Sequence, residues 1–169
     1  GILALLAVWE ISTRLGLVRT SAFPPATEVL AALPSVLGTA TFWAALGQTL
    51  LSTLLGMLLA ILIAIPLGTL IGLNGVLHRS TRVTIEFLKP IPVVALLPLA
   101  LLIFGITLQM KILLIAFGAL WPLLIQVIAG VQSVDAVASA TARSFGVGPL
   151  RRIFFVVLPS AAPSIATGL

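Results

Sequence analysis

Glu86 and Lys89 stand three residues apart, just before Pro90 and Pro92, in a stretch otherwise dominated by apolar side chains. That spacing makes them neighbours on one helical face. The pair therefore reads either as an ion pair at a membrane boundary or as a contact for a polar solute. Gln126, preceded by Trp121 and Pro122, is open to the same two readings. Little else is equipped for chemistry. One histidine and no cysteine exclude HExxH and CxxC metal arrangements, no nucleophile has a histidine base nearby, and no GxxxxGK[ST] phosphate loop occurs. The sequence thus points to no enzyme, no metal and no cofactor, and any use of ATP would fall to another chain.

The elements that position these residues must lie in a bilayer. Hydrophobic residues make up 60% of the 169 and charged ones 8%, a balance that leaves too little polar surface for a water-soluble domain. The net charge of +5 comes from basic residues scattered along the chain, which are topology signals and not a nucleic-acid surface. The chain begins at Gly1 without a basic leader and ends at Leu169 inside an apolar segment, so it reads as a fragment lacking its C-terminal spans.

About 20 apolar helical residues cross a hydrocarbon core of about 30 Å. No residue between Glu28 and His78 is charged, and Pro34 and Gly38 divide that run into a short interfacial helix over 24–44 and a membrane helix over about 46–73. Pro90 to Met110 and Ile112 to Val134 supply two further spans. Partial spans are expected at 1–17 and from about 153 onward. His78, Arg79 and Arg82 fall in one connection and Arg143, Arg151 and Arg152 in another, which places both on the cytoplasmic side. Arg14, Arg19 and Lys111 are left outside, and Lys89 lies near the inner end of its helix.

Small residues recur at every fourth position: Ser52, Gly56, Ala60, Ala64, Gly68 and Gly72. In lipid, such a stripe allows helix backbones to approach closely. Four residues overshoot one turn by about 40°, so the stripe is expected to wind around the helix and meet more than one partner. Pro66 invites a kink in it. The next segment, "EFLKPIPVVALLPLALLIFG", carries Pro92 and Pro98, whose freed carbonyls suit a helix beside a pathway.

A different pattern occupies "DAVASATARSFGVGPLRR". Asp135 is placed to cap a helix ending near Phe145, Gly146 to stop it in the left-handed conformation, and Pro149 to start a second helix held at the surface by Arg151 and Arg152. Such a helix–corner–helix is either an interfacial elbow or a plug for a groove on another protein.

Taken in order, "FPPATEVLAAL", "AIPLGTLIGL", "EFLKPIPVVALLPLALLIFG", "GVQSVD" and "ATARSFGVGPLRRIFFVVLPSAAPSI" resemble the permease subunits of binding-protein-dependent ATP-binding-cassette importers. The nitrate, sulfonate and taurine group is the most similar. The resemblance covers nearly the whole chain. It implies an all-α, polytopic membrane protein of the ABC importer permease fold, with 1–169 one partial permease domain and 134–152 its cytoplasmic coupling loop.

That loop in the family reads Glu-Ala-Ala, then Gly after three residues, then Leu-Pro; here those positions are Ala140, Thr141, Ala142, Gly146, Leu158 and Pro159. The signature glutamate is thus replaced by Ala140. Asp135 and Arg143 complete the implied coupling set. Gly68, Gly72, Glu86, Lys89, Pro92, Pro98 and Gln126 are candidates for helix packing or the solute path. The resemblance further implies cytoplasmic ATPase subunits, an extracytoplasmic solute-binding protein and a second permease, a homodimer being the simplest arrangement, in a bacterial inner membrane. The solute would be a small anion such as nitrate, a sulfonate or taurine. A secondary transporter would need ion-coupling carboxylates within its spans, and a non-transporting scaffold has no positive signature here.

The arginine clusters fix a topology that can be checked. In Ser80→Cys and Val147→Cys variants, an impermeant thiol reagent is expected to label only from the cytoplasmic side, and in Thr20→Cys only from outside. Labelling of Val147→Cys from outside intact cells would reverse the topology.

Overall fold

The computed structural model describes residues 1–18 and 23–168. Arg19 and Thr20, assigned above to an outer connection, lie outside the described residues, as does Leu169. The described chain is helical, with no strand: α1 Ile2–Arg14, α2 Ala26–Leu37, α3 Ala40–Leu73, α4 Gly75–Leu88, α5 Val93–Phe104, α6 Leu108–Gln132, α7 Ala136–Ser144, α8 Pro149–Arg152, a π-helical turn Ile153–Val157, and α9 Leu158–Ala166. Two compact units are present, Gly1–Thr49 and Leu50–Leu169.

In the first unit, polar contacts tie α1 to the start of α2. The Glu10 carboxylate accepts from Arg14 Nε at 2.6 Å, from the Thr27 backbone N–H at 3.0 Å and from the Thr27 hydroxyl at 2.8 Å. Trp9 donates its indole N–H to the Pro24 carbonyl at 3.1 Å and lies 4.9 Å from the Phe23 ring. At 13 residues, α1 is too short to cross a bilayer by itself. The expected helix over 24–44 is also shorter, ending at Leu37. Thr39 Oγ1 accepts from the Phe42 N–H and so starts α3 early, which assigns residues 40–44 to the long helix.

The second unit is organised by α3 against α6. A Cβ added at Gly56 would lie 2.6 Å from Ile115 Cγ2, at Gly68 2.7 Å from Val127 Cγ1, and at Gly72 2.8 Å from Val131 Cβ. Each partner lies 59 positions further along the chain. A constant offset means parallel helices in fixed register. Contact held at every fourth position, a period longer than 3.6, requires the two to wind around each other in the right-handed sense. The three glycines of the stripe therefore share one partner, α6, and winding of the pair absorbs the drift of about 40° that a straight helix would show. Helical structure continues through Pro66 from Ala40 to Leu73.

Parallel helices joined in sequence require the chain to return between them. The expected span from Pro90 to Met110 is not one continuous helix. Within it α5 runs only over Val93–Phe104, 12 residues, and meets α4 at an angle of 81°, while Leu108–Met110 already belong to α6. Pro90 and Pro92 lack the N–H groups that would continue α4 onto the Glu86 and Leu88 carbonyls. Instead the Ile91 N–H closes a tighter turn on Leu88 O at 3.2 Å. Gly105, at φ +63°, stops α5, and Thr107 caps α6 by accepting from the Met110 N–H. Two described helices, α3 and α6, are long and apolar enough to cross a membrane; α4 and α5 reach that length only when the bent pair is taken together.

α9 returns antiparallel along α6. Gly130 faces Ala161 and Ser164, and Gly168 faces Gln126. Ala64, Ile71, Leu123, Leu124, Val127, Ile128, Val131, Val157 and Ala161 form the shared core.

Packing this close leaves no room for a side chain. Gly68→Leu and Gly72→Leu are each expected to destabilise the purified protein by about 1–3 kcal/mol or more, the cost of overpacking a close-packed contact. Leu70→Ala, on a side chain 59% exposed, is expected to cost less. Thermal unfolding in detergent measures the difference; equal midpoints for all three variants would show that the seam tolerates separation.

Candidate functional site

Two places gather the polar and conformationally special residues. The first is the corner between α7 and α8. Asp135 accepts from the Val137 N–H at 2.8 Å and so caps α7. At the other end Gly146 adopts φ +72°, its N–H bonded to Arg143 O and the Val147 N–H to Ala142 O, each at 3.0 Å. Those two bonds make a complete Schellman stop, which a left-handed residue at this position permits. Pro149 then occupies the first turn of α8. Ala140, Thr141 and Arg143 are exposed, as are Val137, Phe145 and Leu150, so α7 offers small side chains with apolar groups near both ends.

α7 contacts the π-helical turn that follows α8. Here the Leu158 N–H reaches back five residues to Ile153 O. The cause is Pro159, which has no N–H for the Phe155 carbonyl and whose ring would press on it in a regular helix. The signal was Pro159 itself, inside an apolar run with no cap before it. Leu158 and Pro159 thus begin α9 just past this widened turn.

The second place is a groove of ≈ 310 Å³ between α4 and α6, lined by His78, Arg82, Glu86, Lys89 and Gln132 over a floor that includes Ile128. Asn74 builds its near end by accepting from the Val76 and Leu77 N–H groups, which starts α4. Glu86 does not pair with Lys89. It accepts from Arg82 Nε at 2.8 Å, one helical turn earlier. The i,i+4 spacing of Arg82 and Glu86 was the available signal for this partner.

Lys89 makes no ion pair among the described residues and lines a second cavity of ≈ 250 Å³ with Gln126, Pro122, Thr167 and Gly168. Glu86, Lys89 and Gln126 are thereby brought to adjoining cavities, whereas Pro92 and Pro98 sit at the start and middle of α5 and line neither. Sequence reasoning left out His78 and Gln132, which only the packing of α4 against α6 assembles. His78 Nδ1 is buried with no hydrogen-bond partner.

Residues 56–169 match the family of binding-protein-dependent transport system inner membrane components. The chain belongs to that family. It is 37% identical over 170 residues to the taurine transport system permease protein of Escherichia coli (strain K12), covering 98% of this chain and 62% of that protein. The putative aliphatic sulfonates transport permease protein of the same organism is 30% identical over 165 residues, covering 98% and 63%. The bicarbonate transport system permease protein of Synechococcus elongatus is 32% identical over 178 residues, covering 100% and 64%. The chain thus spans a little over three fifths of the length of these relatives. Family membership makes it an all-α inner-membrane component, and the matched region contains both the corner and the groove.

Nothing lies within 4 Å of where a Gly146 Cβ would sit, so a substitution there acts through the backbone alone. Gly146→Val is expected to cost about 1 kcal/mol or more at φ +72°. Faster amide hydrogen exchange at residues 143–148, with an unchanged amount of protein in the membrane, is the expected outcome. Unchanged exchange would mean that the corner does not depend on the left-handed stop.

Proposed function

We propose that this chain is the membrane permease subunit of an ATP-driven importer of small oxyanions. Residues 1–169 serve as its permease domain, and 134–152 as the loop that couples it to cytoplasmic ATPase subunits. The observation that carries this reading is the exposed, doubly stopped α7, capped by Asp135 and ended by Gly146. A short rigid helix with small exposed side chains suits a groove on a partner, and its contact with the π-helical turn gives it a mechanical route into α9. Ala140, Thr141, Ala142 and Arg143 form the docking face. Leu158 and Pro159 form the junction that receives its motion.

The relatives are named for taurine, aliphatic sulfonates and bicarbonate, which share an oxyanion group. That chemistry suits a groove carrying Lys89, Arg82 and the Gln132 amide. The importer would comprise two permease copies, two ATPase subunits and an extracytoplasmic solute-binding protein. ATP binding closes the ATPases, α7 moves with them, and the spans alternate between inward and outward access.

Vesicles containing the permease, its ATPase and the binding protein are expected to take up labelled taurine or another sulfonate only with ATP. Omitting the ATPase should abolish uptake. Gly146→Val should reach the membrane in normal amounts, yet lose co-purification with the ATPase and solute-stimulated hydrolysis. Uptake driven by an ion gradient without ATP would make the chain a secondary transporter and overturn this reading.

A further inference from the structure

The two cavities along α6 adjoin at Lys89 and Ile125, which line both. A volume of ≈ 310 Å³ is at the small end for a ligand site and suits a small molecule. The charge of this site can be counted. Among the described residues, Glu86 is the one carboxylate lining either cavity, and it is engaged with Arg82. Arg82 and Glu86 cancel. Apart from His78, Lys89 leaves the groove one positive charge.

The remaining donors are those an oxyanion needs: the Lys89 ammonium, the side-chain amides of Gln126 and Gln132, and His78, whose buried Nδ1 has no protein partner. Thr167 is not among them, because its hydroxyl already donates to Ser164 O at 2.7 Å.

We propose that Glu86, by neutralising Arg82, sets the α4–α6 groove at a single positive charge, so that it holds one monovalent oxyanion on Lys89 and rejects divalent ones. The ligand class rests on the reading of the chain as an oxyanion permease; the charge count does not. A monovalent sulfonate, nitrate or bicarbonate is matched by Lys89. Sulfate would enter with one charge uncompensated and the exposed Glu86 carboxylate at the rim, a repulsive element of the kind that produces specificity. Lys89 is then the anion-holding residue and Glu86 the residue that fixes the valence.

The test uses the assembled transporter, purified with its ATPase, and reads thermal stabilisation by methanesulfonate or sulfate at constant ionic strength. A ligand that binds the folded state raises the midpoint according to its affinity. Wild type is expected to bind methanesulfonate about tenfold or more tighter than sulfate, a margin on the order of one uncompensated charge contact. Lys89→Met should weaken methanesulfonate about tenfold, while Lys89→Arg stays within about threefold. Glu86→Gln frees Arg82 and should reverse the preference toward sulfate, a gain that a merely structural role for Glu86 would not produce. Identical responses from wild type, Lys89→Met and Glu86→Gln would overturn the proposal.

A lipid headgroup phosphate shares this chemistry, and basic pockets between membrane helices on the cytoplasmic side are suited to it. The titration is therefore repeated in phosphatidylcholine discs with and without phosphatidylglycerol. Loss of the methanesulfonate response on adding phosphatidylglycerol, with a stabilisation by phosphatidylglycerol itself that Lys89→Met removes, would assign the groove to lipid and overturn the soluble-anion proposal. Normal ATP-dependent sulfonate uptake with unresponsive groove variants would defeat this inference alone. Anion binding as described, without ATP-dependent uptake, would defeat the permease reading alone.

Discussion

The close approach of α3 to α6 is the contact on which the rest of the second unit depends. Lipid tails are as apolar as leucine side chains, so burial gives little drive for two membrane helices to associate, and van der Waals contact at short range must supply it. Gly56, Gly68 and Gly72 provide that range by placing bare backbone against Ile115, Val127 and Val131. Because the offset between partners is constant, the contact fixes register as well as distance. Parallel register then dictates that the C-terminal ends of both helices lie at one end of the unit, bringing α4 and α7 to the same side.

From that constraint follows the shape of the segment between them. A chain that must return between parallel helices has 34 residues, 74–107, in which to do so, and Pro90, Pro92 and Gly105 interrupt it. The break at the prolines lets α4 turn by 81° relative to α5. The turn places the polar face of α4, with His78, Arg82 and Glu86, along the C-terminal half of α6. A straight helix through 75–104 would have carried those side chains away from Gln132 and Ile128. The groove is thus a consequence of two prolines and one packing register.

The corner after α6 works by a different principle. Its geometry is local, closed by a side-chain cap at Asp135 and two backbone bonds at Gly146, and it needs little from the rest of the fold. Where it joins the bundle, Pro159 forces a π-helical turn in contact with α7. Under the proposed coupling role of α7, this wider turn is where a push on α7 would become a shift of α9.

Much of this was legible in the sequence by itself. Composition settled the bilayer, and the four-residue spacing of small residues identified the face of α3 that packs. Asp135, Gly146 and Pro149 marked the ends of α7 and α8, because caps and stops are encoded within a few residues of where they act. Tertiary structure decided what depends on distant partners. The sequence suggested that Glu86 would pair with Lys89, but rotamer and neighbour geometry gave Glu86 to Arg82 and left Lys89 to two cavities. It suggested a span over Pro90 to Met110 with prolines that free carbonyls, but hydropathy does not say how far the chain bends where backbone donors are missing, which is 81° between α4 and α5. It named the small-residue stripe as a packing face, and winding of α3 around α6 brings the stripe's Gly56, Gly68 and Gly72 to one partner. Periodicity names the face that is buried; only the assembled helices determine which neighbour covers it and which charges are left without a counterpart.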